Sequence, residues 1–281
     1  MAIGLVMEGG AMRGMFTCGV IDVMMENGIK FDGSIGVSAG ACFGCNYKSG
    51  QIGRALRYNI KYSNDKRYCS ITSLIKTGDM FGADFCYNQI PNSLDVFDYE
   101  AFKENPMTFY VVATDIDTGK PVYKKIDSCN QNDLEWIRAS ASMPLVSRIV
   151  DIDGRKFLDG GISDSIPLRA FEKIGYDKNV VILTQPKNYR KTPNKAMGIM
   201  KLSMKKYPQL IKAMENRHVM YNKETRYAFS QQGKGNALVI CPDEPLPIGR
   251  IEHNPDVLMQ VYNIGRQKAT EMLNDIKAFT E

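Results

Sequence analysis

The chain has 281 residues, 44% of them hydrophobic and 24% charged, a balance that excludes a disordered chain, a collagen-like repeat and a disulfide-stapled miniprotein. Its 36 Lys and Arg against 31 Asp and Glu leave a net charge of +5, too mild to single out a partner. Only two histidines are present, His218 and His253, so a His-rich metal centre is poorly supplied and imidazole is scarce as a general base.

In chain order, the apolar run Ile3 to Met7 reads as a strand ending at Glu8-Gly9-Gly10. A helix follows from about Met12 to Asn27, with Gly28 placed as the residue just past its end. Phe31 to Gly36 reads as a second strand and Ala39 onward as a second helix. Short connections between these elements imply parallel strands joined by a right-handed crossover, the opening of an α/β protein. Further strands are expected at Thr108 to Thr114, Val122 to Ile126, Val180 to Thr184 and Ala237 to Cys241. The first two of these enclose Asp117-Thr118-Gly119-Lys120, whose turn chemistry predicts a hairpin. Leu134 to Ala141 reads as a short helix stopping before Pro144. Asn254-Pro255 supplies a cap and first turn for a last helix to about Phe279.

Charge is unevenly distributed. Lys187 to Lys234 holds twelve basic and two acidic residues and carries +10, so the remainder carries −5. Pro208 should divide this stretch into two helices, which leave the sheet between two strands as an excursion at 187–235. Its Met, Leu and Ile positions interleaved with Lys suit either an amphipathic lid over a lipid site or core residues with their lysines in water. The seven cysteines, an odd number without framework spacing, point to a reducing compartment. With no basic, apolar leader at its start and no membrane-length apolar run, the chain is expected to be cytoplasmic.

Two glycine-framed segments carry the chemistry. Gly36-Val37-Ser38-Ala39-Gly40 is a Gly-x-Ser-x-Gly pentapeptide between a predicted strand and a predicted helix. That setting suits a serine exposed on a sharp turn, although a Ser that merely caps the helix has the same pattern. Glu8-Gly9-Gly10-Ala11-Met12-Arg13-Gly14 occupies the same kind of junction. Glycines there leave backbone N–H groups open to an anion, and adjacent parallel strands would bring this loop beside Ser38 as an oxyanion hole. For the base, Ser38, Asp159 and His253 stand in the chain order of an α/β-hydrolase triad. However, only one strand precedes the strand that leads into Ser38, and His253 sits in a polar stretch, so the triad is disfavoured. A carboxylate is the other option: Leu158-Asp159-Gly160-Gly161 reads equally as an acid held by glycines or as a plain turn. Cys42-Phe43-Gly44-Cys45 has redox spacing but lies inside a predicted helix, where packing is the better reading.

Taken together, these three motifs resemble the patatin-like phospholipases, along with Ala113-Thr114-Asp115 and Ala139-Ser140-Ala141-Ser142-Met143-Pro144. The likeness extends over essentially the whole chain. It implies a single catalytic domain over 1–281, a three-layer α/β/α sandwich with a mainly parallel sheet. It also implies a serine acyl hydrolase without histidine, with Ser38 as nucleophile on an elbow framed by Gly36 and Gly40. Asp159 of Asp159-Gly160-Gly161 would be the base, and the loop Gly9, Gly10, Ala11, Met12, Arg13 and Gly14 the oxyanion hole. No metal or cofactor is expected, and the expected partner is a lipid or ester. Peripheral contact with an anionic membrane through 187–234 is a further expectation, and nucleic acid is not expected. The runner-up is a catalytically weak anionic-lipid binder on the same fold. Two departures stand out: Glu8 occupies a position that is often glycine, and Ser142 one that is more often alanine.

Overall fold

The computed structural model describes residues 1–281. Eight strands form one sheet: β1 (Ile3–Met7), β2 (Gly33–Val37), β3 (Thr108–Asp115), β4 (Lys120–Ile126), β5 (Val150–Ile152), β6 (Arg155–Asp159), β7 (Lys178–Ile182) and β8 (Ala237–Ile240). Neighbours run β5-β6-β3-β2-β1-β7-β8, with β4 also paired to β3. The pairings β3-β2, β2-β1, β1-β7 and β7-β8 are parallel, and those involving β4, β5 and β6 are antiparallel.

Alternation along the strands explains the layers. Leu5 and Met7 face one core and Val6 the opposite one; Val111 and Val112 divide in the same way. Both faces are therefore apolar, and both are covered by helices, as a mainly parallel sheet requires. On the larger face lie α1 (Gly14–Glu26), α2 (Ala39–Lys48), α3 (Arg54–Tyr62), α6 (Gln131–Ser140) and α10 (Pro255–Glu271). The other face is covered by α7 (Leu168–Ile174) and α9 (Pro208–Gly233). The expected α/β/α sandwich is what the chain builds.

Several boundaries differ from the sequence reading for local reasons. The first helix opens with a 3-10 turn over Ala11–Arg13 before α1 begins. The last helix is interrupted at Met272, giving α10 and then α11 (Leu273–Thr280). The basic stretch forms α8 (Met197–Ser203) and α9, and Pro208 stands in the first turn of α9. This excursion is the crossover between the adjacent parallel strands β7 and β8. Between α2 and β3 the chain also forms α4 (Ile71–Thr77), a π-helical stretch (Phe85–Leu94) and α5 (Tyr99–Glu104). The sequence reading had assigned no elements there.

The C-terminal segment is knit into the same body. α10 lies directly on α1, so close that a Cβ at Gly19 would stand 2.1 Å from the Tyr262 carbonyl oxygen and one at Gly265 2.1 Å from that of Phe16. Asp22 of α1 accepts the Tyr262 hydroxyl at 2.8 Å across this seam. No helix is long and apolar enough to cross a membrane.

Candidate active site

Register on β3 brings the serine and the aspartate together. Val37, the last residue of β2, lies opposite Val112, and Asp159, the last residue of β6, lies opposite Ala113. Because β4 occupies the other edge of β3 from Phe109 to Asp115, β2 and β6 share one edge and meet end to end. A side chain at Gly160 has no room at this meeting point, since its Cβ would lie 2.0 Å from the Val112 carbonyl oxygen.

Ser38 leaves β2 with φ 55° and ψ −120° and starts α2. A non-glycine residue rarely adopts that conformation, and it turns the side chain out of the strand line. The Ser38 N–H donates to Ser140 Oγ at 2.9 Å, and the Ser38 hydroxyl donates to Asp159 Oδ2 at 2.7 Å. The other carboxylate oxygen, Oδ1, accepts the Gly161 N–H at 2.7 Å. The backbone of Asp159 is fixed as well: its N–H donates to the Ser142 carbonyl at 2.8 Å, and its carbonyl accepts the Thr114 hydroxyl at 2.8 Å. Burial pushes the Asp159 carboxyl above the usual carboxylate range, opposed by the Arg217 guanidinium and by the bonds from Ser38 and Gly161.

The glycine loop stands over this pair. A Cβ at Gly9 would be 2.9 Å from Ser38 Cβ, so the loop backbone is in contact with the serine. The N–H groups of Gly9, Gly10 and Ala11 donate to no acceptor in the protein, and Ala11 has φ 50°. Gly10 lies against Thr184 and Gly14 against Phe43. Met12 is buried, and its N–H points to the Arg250 carbonyl at 3.5 Å. Glu8 has a tying role that explains a carboxylate at that position. It is buried and accepts the Thr184 N–H at 2.6 Å and the Tyr221 hydroxyl at 2.7 Å, binding β1 to the end of β7 and to α9.

Two cavities converge on Ser38. One is apolar, with eighteen hydrophobic residues among twenty-one, including Phe43, Tyr58, Ile90 and Ile137. The other is polar and includes Arg13, Lys191, Arg217 and Arg250. They share Ala11, Ser38 and Met143, so a molecule lying across the serine would have one end in each.

Other sequence candidates lie elsewhere. His253 is exposed, with Nδ1 against the Ser63 carbonyl at 2.7 Å, and His218 Nδ1 meets the Glu215 carbonyl at 3.0 Å. Neither lines either cavity. Cys42 and Cys45 are free thiols, pushed by burial up to about 12 and about 11, which is the opposite of a reactive pair. The sequence reading did not single out Ser140, Lys191, Arg217 or Arg250 as site residues. The basic run announced Lys191 and Arg217 only as members of a charged stretch, and Arg250 carried no signal.

Comparison with known families matches residues 5–172 to the patatin-like phospholipases, more than half of the chain. This chain belongs to the patatin-like phospholipase family. Residues 207–281 match a second family, described as a domain of unknown function, DUF6363. Among relatives, the uncharacterized protein YjjU of Escherichia coli is 29% identical over 275 residues, covering 94% of this chain and 75% of its own length. An uncharacterized NTE family protein of Mycobacterium bovis is 24% identical over 180 residues, 64% of this chain and 48% of that protein. Lysophospholipase NTE1 of Meyerozyma guilliermondii is 26% identical over 181 residues, 62% of this chain and 12% of that protein. This chain thus spans about half of the mycobacterial relative and a small part of the larger lysophospholipase. The patatin match contains all three glycine-framed motifs, while Lys191, Arg217 and Arg250 lie outside it.

Proposed function

We propose that this protein is a serine lipid acyl hydrolase in which Ser38 is the nucleophile and Asp159 the general base. The observation that carries the reading is the 2.7 Å bond from the Ser38 hydroxyl to a buried Asp159 carboxylate, beneath three unpartnered N–H groups. Ser38 Oγ attacks the acyl carbonyl and its proton passes to Asp159. The N–H groups of Gly9, Gly10 and Ala11 stabilise the oxyanion. The ester C–O bond then breaks, and Asp159 returns the proton to the leaving alcohol. In the second half, Asp159 takes a proton from water, which attacks the acyl carbonyl; the acyl C–Oγ bond then breaks, Asp159 returns the proton to Ser38 Oγ, and the acid is freed. The apolar cavity receives the acyl chain. Residues 1–281 act as one catalytic unit in this reading, because α9 and the segment after β8 contribute side chains to the cavity at Ser38.

A fluorophosphonate probe, which transfers phosphorus to an activated serine and releases fluoride, is expected to label the wild-type protein and not Ser38→Ala. The same substitution should lower turnover of a short p-nitrophenyl ester about 10⁴-fold. Labelling of Ser38→Ala at the wild-type rate would exclude this nucleophile. One feature favours an added role at an anionic membrane surface: α8 buries none of its residues and exposes Ile199 and Leu202 beside Lys201. Vesicles of anionic lipid should therefore sediment wild-type and Ser38→Ala proteins alike. Sedimentation without labelling of the wild type would favour the lipid binder over the enzyme.

The acid limb of activity follows from the base. Asp159 works only when ionised, so kcat/KM should fall as pH falls through its raised pKa. The midpoint of that limb is expected above about 3.9, the unperturbed aspartate value. Arg217→Gln should move it higher, because the guanidinium favours the ionised form. A pH–rate profile with its midpoint at or below the unperturbed value would contradict this assignment.

A further inference from the structure

The polar cavity beside Ser38 has an imbalance that the hydrolytic step does not use. Four cationic side chains, Arg13, Lys191, Arg217 and Arg250, line it, and none of them forms a salt bridge. The Arg13 Nε is buried without any hydrogen-bond partner. Lys191 lies over the Tyr221 ring at 4.1 Å, and Arg217 donates through Nε to the Gly161 carbonyl at 2.5 Å. The two carboxylates lining the cavity are already engaged. Glu8 accepts Thr184 and Tyr221, and Asp159 accepts Ser38 and Gly161. Lys191 is depressed to about 8, first by burial and then by Arg217, with Arg13 and Arg250 adding to it, so these charges crowd one another. Four cations against two engaged carboxylates leave two positive charges unanswered at a partly closed site, an arrangement that a bound dianion would relieve.

We infer that this cavity is the head-group subsite of the proposed hydrolase and that it selects acylated glycerols bearing a phosphate monoester. The inference rests on the catalytic reading of Ser38 for its lipid context. A phosphate monoester carries close to two negative charges near neutral pH and three acceptor oxygens for guanidinium and ammonium donors. A choline head group would bring a quaternary cation into a cavity with four cations and no free carboxylate to receive it. With the acyl chain in the apolar cavity and the ester at Ser38, the phosphate lies on the opposite side of the serine. Lys191, Arg217 and Arg250 come from the crossover and from the segment after β8, outside the part of the chain that matches the patatin-like family. Selectivity is thus a property of the added segments, whereas Ser38 and Asp159 belong to the common core.

The test compares a 1-acyl glycerol 3-phosphate, the matching glycerophosphocholine and the uncharged monoacylglycerol, all with one acyl chain and dispersed in neutral detergent. The phosphate monoester is expected to exceed the choline substrate in kcat/KM by about tenfold or more. In Lys191→Met/Arg250→Met the ratio of phosphate monoester to uncharged substrate should fall about tenfold, and Lys191→Arg should retain the preference. Equal rates for the three head groups, with the p-nitrophenyl ester still turned over, would overturn the subsite and leave the hydrolase standing. Calorimetric titration of Ser38→Ala with the acyl glycerol phosphate and with inorganic phosphate tests the subsite apart from turnover. Tighter binding of the acylated ligand supports it, and equal affinity for inorganic phosphate would make the cavity a free-phosphate site instead. Absence of any ester turnover together with tight, Lys191-dependent binding would remove the catalytic reading while retaining the subsite.

Discussion

Asp159→Asn is expected to lower kcat/KM for ester hydrolysis by about 10⁴-fold while leaving the protein folded. Asparagine keeps the shape of the side chain, and its carbonyl oxygen can still accept the Gly161 N–H now held by Oδ1. Its NH₂ group then faces the Ser38 hydroxyl as a donor, so the serine loses its proton acceptor. Stability should move the other way. The folded-state pKa of Asp159 is raised by burial, so its contribution to stability is fully present below the ordinary aspartate pKa and is lost as pH rises through the raised value. A neutral amide does not suffer that loss, and thermal unfolding at neutral pH should show no decrease in Tm. The matching control replaces both His218 and His253, and hydrolysis should stay within about tenfold of wild type. Asp159→Asn retaining a tenth of wild-type activity would exclude the carboxylate as base.

Gly40→Ala is expected to destabilise the fold by about 3 kcal/mol and to lower activity with it. A Cβ at Gly40 would stand 2.4 Å from the Met7 carbonyl oxygen and 2.9 Å from that of Glu8. Both obstacles are backbone at the end of β1, so relief requires α2 to lift away from the sheet, carrying Ser38 with it. Gly36 is crowded in the same way, its Cβ falling 2.4 Å from the Gly40 carbonyl oxygen. Gly198→Ala on α8 is the contrasting case: nothing lies within 4 Å of its Cβ position. Removing a helix glycine there should stabilise by about 0.5 kcal/mol. Urea denaturation of both variants measures the difference. A cost below about 1 kcal/mol at Gly40 would show that the elbow has slack this geometry denies it.

Much of the core was legible because its requirements are local. Gly36, Gly40 and Gly160 each mark a place where backbone meets backbone, and glycine is the residue that such contacts demand. The parallel pairing of β1 and β2 followed from the short connection through the first helix. Long-range assembly was harder to read. Lys191 and Arg217 belong to a run whose net charge suggests an outward face, yet both turn toward Ser38. What turns them is the docking of α9, where Tyr221 reaches Glu8 and Glu224 accepts the N–H groups of Ser165 and Ile166 at 3.1 and 3.2 Å. Burial raises the Glu224 carboxyl and that of its neighbour Asp164. Such contacts join residues far apart in the chain and leave no period in the sequence. α3 did leave one, with Ala55, Tyr58, Asn59 and Tyr62 buried at helical spacing, although no helix is assigned there from the sequence. The short α4 and α5 did not.

The end-to-end meeting of β2 and β6 also determines how the serine–aspartate pair can fail. Its spacing is set by two consecutive residues of β3, Val112 opposite Val37 and Ala113 opposite Asp159. Fraying of α8 or α11 leaves those pairings untouched, so surface breathing can change access without changing the reacting distance. Moving the Ser38 and Asp159 backbones apart requires an opening of the sheet at β3, where Val111, Val112 and Ala113 are fully buried. The serine–aspartate pair is therefore held by a deeply buried part of the sheet, while the exposed α8 can fray without disturbing it.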